Sequence, residues 1–225
     1  MMLEARNLTI RIEGDAIFKD VNLCVGAGQI AVISSHFGDG ATSFLRSLTG
    51  IMDDVEGEVL LQGINLLSLE ENRLLDMRSR IGFVHERRGL ISNMDVFRNI
   101  ALPLRYHHNL SSRALVNRVL EVSVELGISH LLEREPNQLN EAQTWTVNLA
   151  RSLAQQPKLL LIDRFGSRKS KSRQMHLLEV IQKYQSVQGF ATVMVTLNPD
   201  PDYGDQRYTI AEHNLLPNEV LADSA

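Results

Sequence analysis

The sequence predicts an α/β fold: a parallel-sheet core, an antiparallel β subdomain ahead of it, and a helical subdomain inserted into it. Three observations carry this expectation. Short apolar runs at 30–33, 81–84 and 159–162 suit strands buried on both faces. Strand-like and helix-like segments alternate along the chain, as a parallel sheet with helical crossovers requires. Between the runs at 81–84 and 159–162 the signals are helical, so that stretch reads as an insertion.

Taken in order, residues 8–12 and 17–25 pair as strands across the turn Glu13-Gly14-Asp15. Ile30-Ala31-Val32-Ile33 is the first core strand, and Phe44-Leu45-Arg46-Ser47-Leu48 opens the following helix. Glu58-Val59-Leu60-Leu61 forms another strand, closed by Gln62-Gly63. In the insertion, Ser111 begins a helix with Val116, Val119, Leu120, Val122 and Leu126 on one side, and Gly127 ends it. After the run at 159–162 come a helix over 173–188, a strand over 191–196 and a last β segment over 206–212. No internal repeat or low-complexity linker interrupts the chain. One domain is expected over 1–225, with a core of about 1–85 and 155–225 and a helical subdomain of about 86–154.

Composition excludes several classes. The 225 residues, 44% hydrophobic and 22% charged, are those of a soluble globular protein with a sizeable core. The longest apolar stretches, around Leu159-Leu160-Leu161-Ile162, are far too short to span a bilayer, and the first residues hold no long apolar signal segment. A cytosolic protein is expected. The lone Cys24, set among apolar residues, suits a core position better than a disulfide or metal ligand. A formal charge of −4 gives no reason to expect nucleic acid as a partner.

The most informative segment is Ser35-His36-Phe37-Gly38-Asp39-Gly40-Ala41-Thr42-Ser43. A phosphate-binding P-loop reads G-x-x-x-x-G-K-[ST] between a strand and a helix. Gly38, Gly40, Thr42 and Ser43 keep its outline, and Thr42 stands where a magnesium-binding hydroxyl belongs. The lysine position is Ala41 and the first glycine position is Ser35. That lysine neutralises phosphate charge in the transition state, so its loss removes several kcal/mol of stabilisation, of the order lost with a single oxyanion donor, about 3 kcal/mol.

Downstream segments extend the pattern. Arg80-Ile81-Gly82-Phe83-Val84-His85-Glu86 is similar to the strand that leads into the Q-loop of ABC-transporter ATPases. Leu139-Asn140-Glu141-Ala142-Gln143 occupies the place of that family's LSGGQ signature, and Val147-Asn148-Leu149-Ala150-Arg151-Ser152-Leu153-Ala154 resembles its signature helix. Gln156-Pro157-Lys158-Leu159-Leu160-Leu161-Ile162-Asp163 resembles the lead into Walker B, and Ala191-Thr192-Val193-Met194-Val195-Thr196-Leu197 the strand before the switch histidine. Ordered at the family's distances over nearly the whole chain, these identify it as resembling an ABC ATP-binding subunit with a P-loop NTPase-like core. The stretch from Asn93 to Arg105, with Tyr106-His107-His108, is closest in flavour to ATPases of MCE-linked (Mla-type) phospholipid transporters.

The departures from that family are as informative. The resemblance implies catalytic functions lost at Ala41 (the lysine), Glu86 (the Q-loop glutamine), Arg164 (the catalytic glutamate) and Leu197 (the switch histidine). The adenine-stacking aromatic would fall near Ile10 and the D-loop aspartate near Ser170, and neither residue type is there. Thr42 and Asp163 remain as a vestigial magnesium pair, although a strand-end aspartate capping a turn is the preferred role for Asp163. His36 and His85 read as loop or surface histidines, and the adjacent His107 and His108 would diverge on one helix. Arg164 is expected to pair with Asp163, Asp39 or Glu86, since buried charge needs a partner.

The resulting expectation is a catalytically degenerate ABC subunit, lipid-related and peripheral on the inner face of the cell membrane. Its partners would be an integral-membrane permease and a homodimeric or heterodimeric ABC ATPase, with no cofactor or only weak ATP and magnesium. The alternative is a nucleotide-binding subunit that still drives transport. Docking is assigned to the stretch holding Arg88, Leu90, Met94, Phe97 and Arg98, with Ile91, Val96, Ile100 and Leu102 helping to floor a groove for the permease's helix.

Overall fold

In the computed structural model, residues 1–85, 89–107, 110–166, 170–198 and 201–218 are described, apart from the side chain of His107. The chain opens with β1 (Leu3–Ile12) and β2 (Asp15–Val25), then β3 (Ile30–Ser34), α1 (Ala41–Ser47), β4 (Val55–Leu61) and β5 (Ile64–Asn65). It continues through α2 (Glu71–Arg78) and β6 (Ile81–Val84) into three helices, α3 (Val96–His107), α4 (Ser112–Glu125) and α5 (Glu141–Ala154). It closes with β7 (Leu159–Phe165), α6 (Lys171–Gln188), β8 (Ala191–Thr196), β9 (Gln206–Ala211) and β10 (Asn214–Pro217).

The strands form two sheets, a four-stranded antiparallel one ordered β2-β1-β4-β5 and a six-stranded one ordered β10-β9-β3-β8-β7-β6. In the larger sheet β9, β3, β8, β7 and β6 run parallel, and only β10 turns back. Its strands are buried on both faces. Along β7, Leu160 and Ile162 join a core with α3–α6, while Leu159 and Leu161 join a second core with the antiparallel sheet and α1. Ile30 and Val32 of β3 divide from Ala31 and Ile33 in the same way, which explains runs that are apolar at every position.

Boundaries expected from sequence hold where burial is two-sided and shift where it is not. β6 and β8 match the predicted strands residue for residue. β1 runs back to Leu3 because a bulge at Asn7 (φ 48°) absorbs the polar pair Arg6-Asn7. β4 begins at Val55 because Glu56 and Glu58 lie outward on ion pairs with Arg11 (2.8 Å) and Arg6 (3.4 Å). α2 and β10 escape the sequence reading, α2 because Met77 is its only buried residue. Cys24 is half-buried, short of the core position expected for it.

The helical layer corrects one predicted face. α4 buries Leu115, Val119, Val122 and Ser123, while Val116 and Leu120 are exposed at 39% and 42%. Ser111 does cap this helix through the Ala114 N–H, and Gly127 follows it with φ 66°. Val96 and Ile100 of α3 are fully buried in the helical core, so they do not floor a groove. The buried Asn99 gathers the preceding turn: its Nδ2 donates to the carbonyls of Ile91, Met94 and Asp95, and its Oδ1 accepts from the Ile91 N–H at 2.7 Å.

Trp145 on α5, 1% exposed, ties this layer to the sheet through Phe165 of β7, ring centroids 5.9 Å apart. Trp145→Ala is expected to lower stability by about 3–5 kcal/mol, the cost of a large core truncation. Urea unfolding followed by circular dichroism checks this, because the variant has no tryptophan to report fluorescence.

Candidate functional site

The parallel strands end together on one side of the sheet, where open α/β proteins place their ligand crevice. Here β3 leaves into the 35–40 loop, anchored when the Ser35 N–H donates to the Thr196 carbonyl at the end of β8 (2.9 Å). Gly38 and Gly40 hold φ of 88° and 84°, a backbone region that side chains disfavour. At Gly40 a Cβ would also meet Phe18 at 3.1 Å and Ile17 at 3.3 Å, so β2 presses the loop from below. α1 starts at Ala41 with no side-chain cap.

The loop lines a cleft of about 570 Å³, together with Ile12, Ile17, Thr42, Ser43, Arg164, Ile210 and His213. Thr42 Oγ1 donates to Asp163 Oδ2 at 2.9 Å. Asp163 is 4% exposed and lies inside β7, which continues to Phe165, so the role of strand-end turn cap gives way to this contact. Asp39 turns inward: its Oδ2 accepts the His36 N–H at 2.5 Å and its Oδ1 accepts the Ala41 N–H at 3.2 Å. Sequence reasoning named Asp39 as a nearby charge and missed these bonds.

Arg164 adopts φ 55°, and its guanidinium carbon sits 4.3 Å over the ring of Phe37, itself 75% exposed. Of the carboxylates expected beside Arg164, Asp163 accepts from Thr42, Asp39 faces the loop amides and Glu86 lies outside the described residues. Ile10 is buried in the core, and it is Ile12 that opens onto the cleft. Leu197 follows β8 half-buried, and Ser170 caps α6 through the Arg173 N–H. At the signature position Asn140 and Gln143 cap α5 reciprocally, Asn140 Oδ1 accepting the Gln143 N–H at 2.9 Å and Gln143 Oε1 the Asn140 N–H at 3.0 Å. Among the described residues no group of three or more His, Cys, Asp or Glu is placed to hold a metal.

Of the docking residues, Leu90 and Phe97 pack against the helical core, Met94 is half-buried, and Arg98 is exposed beside Asp95 at 3.5 Å. Arg88 and His108 lie outside the described residues. Leu102 does face a groove, of about 330 Å³, with Phe83, His85, Pro103, Tyr106 and Arg151. His85 lies in the loop after β6, as one of the two expected roles had it, and is half-buried, stacking on Phe83 with centroids 4.3 Å apart.

The profile of one protein family, described as ABC transporter, matches residues 18–164. The chain belongs to the ABC transporter family. It is 29% identical over 195 residues to the methionine import ATP-binding protein MetN of Clostridium acetobutylicum, covering 87% of this chain and 61% of that protein. It is 30% identical over 203 residues to MetN 1 of Rhodococcus jostii, covering 88% and 60%. The chain thus spans about three fifths of the length of these curated relatives. Among solved structures, a dimeric ATP-binding cassette in a post-hydrolysis state with ADP and Pi superposes at TM-score 0.87, 24% identity, covering 95% of this chain and 96% of that one. CbiO1 of Clostridium perfringens, part of the transporter complex cbiONQ, gives 0.83 at 20% identity, covering 96% and 86%. These likenesses establish the ABC cassette fold, with its mixed sheets and helical subdomain.

Burial, with Arg151 and Arg46 nearby, pushes the His85 imidazole below its ordinary 6.5. Below pH 6.5 the unfolded chain takes up a proton that folded His85 refuses, so this contribution is full above 6.5 and is lost as pH falls. Thermal unfolding between pH 7.5 and 5.5 is therefore expected to weaken less steeply in His85→Gln than in the wild type. Equal slopes would contradict it.

Proposed function

We propose that this ABC family member is the cassette subunit of a membrane transporter, and that its own phosphate site does not hydrolyse ATP. One observation carries the second clause. Immediately after Asp163 on β7, where the resemblance puts the catalytic base, stands a guanidinium held over the Phe37 ring. A cation cannot accept the proton of an attacking water.

The relatives are named as ATP-binding proteins, so ATP and magnesium must be weighed against the residues present. The donors suit magnesium, since the hydroxyl of Thr42 and the carboxylate of Asp163 already stand together. They do not suit a triphosphate, because Ala41 brings no charge and the Asp39 carboxylate holds the loop amides. Weak binding of ATP with magnesium is what this mixture supports, and the expectation of no cofactor at all gains nothing from the relatives. A second reading, a nucleotide-binding subunit that drives import with slow turnover, is favoured by the Thr42–Asp163 pair and by those relatives. The lipid-related expectation is withdrawn, because the curated relatives reported above are named methionine import ATP-binding proteins.

Within this proposal the partners are an integral-membrane permease and a second cassette, and the location is the cytoplasmic face of the membrane. No helix among the described residues is long and apolar enough to cross a membrane. The groove with Leu102 and Tyr106 supports docking better than Val96 and Ile100, which are spent on the core.

Purified protein is expected to show no ATPase activity above background, and Ala41→Lys with Arg164→Glu to restore little, because Leu197 and the signature stay altered. Magnesium-dependent turnover on the order of 1 per second, abolished by Asp163→Ala, would overturn the proposal and favour the second reading. Arg98→Glu is expected to release the protein from membranes with its melting temperature unchanged, as fractionation and thermal unfolding would show.

A further inference from the structure

The loop's backbone amides already have an anion. We propose that the Asp39 carboxylate is a built-in occupant of the phosphate loop, closing it to anionic ligands. This deepens the reading above, since it rests on that loop being the family's phosphate segment.

The two carboxylate oxygens work separately. Oδ2 takes the N–H of His36, where the loop begins, and Oδ1 takes the N–H of Ala41, where α1 begins, so one side chain bridges both ends of the turn. The left-handed Gly38 and Gly40 on either side of Asp39 permit the fold-back, and Phe18 and Ile17 press against Gly40. A phosphate entering the loop would have to take these same donors while lying against a like charge. Position 41 has no lysine ammonium to draw the carboxylate away, and Arg164, which lines the same cleft, is stacked on Phe37.

At the segment that occupies the place of the family's signature, a side chain likewise takes a backbone amide. The N–H of Gln143, in the first turn of α5, is held by Asn140 Oδ1, and Glu141 adds a carboxylate to that turn. In each segment two amides are held by the chain's own side chains, those of His36 and Ala41 in the loop and those of Asn140 and Gln143 at the start of α5.

The test is calorimetric titration of the full-length protein with ATP and magnesium, and separately with inorganic phosphate. Asp39→Asn keeps an acceptor oxygen and removes the charge, whereas Asp39→Ser withdraws the bridging carboxylate altogether. Asp39→Ser is expected to bind ATP with magnesium at least tenfold more tightly than the wild type, with Asp39→Asn between them and phosphate following the same order. If Asp39→Ser fails to fold, Asp39→Asn decides alone, a gain of threefold or more supporting the proposal. Affinities within twofold across the series, including no detectable binding by any protein, or weaker binding by the variants, would overturn it. Turnover measured on the same samples separates the two ideas: hydrolysis by the wild type would sink the proposed function, while unchanged affinities would sink only the role of Asp39.

Discussion

Burial of the parallel sheet on both faces is the constraint from which the rest of the molecule follows. Strands β3, β7 and β8 send alternate side chains into two separate cores, so no polar group can be tolerated along their lengths without a partner. On β7 charge begins only in its last three residues. Asp163 is the first charged residue along β7, and at 4% exposure it needs a partner, which Thr42 supplies from the start of α1. The position of the cleft is thus a consequence of packing: it lies where the sheet stops being apolar and the 35–40 loop turns over its edge.

A second regularity concerns how polar groups are satisfied. Buried amides and carbonyls demand partners almost without exception. Asn99 supplies them to the 91–95 turn, Gln185 supplies a donor to the carbonyls of Gln29 and Phe190, and Asn140 with Gln143 closes the start of α5. The Asp39 bridge belongs with these. A loop shaped to expose amides has either an external anion or an internal one, and the internal one brings order without a ligand at the expense of affinity for phosphate. Arg164 over Phe37 is a related arrangement, a cation set against an aromatic face at the mouth of the cleft.

The helical layer meets this edge through large aromatic side chains. Trp145 meets Phe165, two residues beyond Asp163 on the same strand, and Phe165 meets Tyr203 with centroids 5.5 Å apart. Arg151 of α5 donates to the carbonyl of Gly89 and to Asn148, and its burial lowers the affinity of its guanidinium for the proton.

The sequence by itself determined the order of the parallel core strands, the two-sided burial of β6, β7 and β8, and the family, because each of these is written in local runs and spacings, whereas α2 and β10, with little apolar pattern, were not. It located Gly38, Gly40, Thr42 and Asp163 for the same reason, and it registered the replacements at Ala41 and Arg164. Element ends governed by distant partners were beyond it. β4 begins early because Arg6 and Arg11 reach across to Glu58 and Glu56, and the buried face of α4 is set by α3 and α5, which pack against it. Only the tertiary structure decided that Thr42 and Asp163, 121 residues apart, share a hydrogen bond, that Ile12 and not Ile10 faces the cleft, and that Asp39 turns into its own loop. Ile10 and Ile12 are two residues apart, yet the pairing of β1 with β2 shifts between Ile10 and Arg11, so spacing alone does not say which of them reaches the cleft, and the direction of a carboxylate depends on the amides that the folded loop brings within its reach. Neither quantity is encoded in the spacing of residues along the chain.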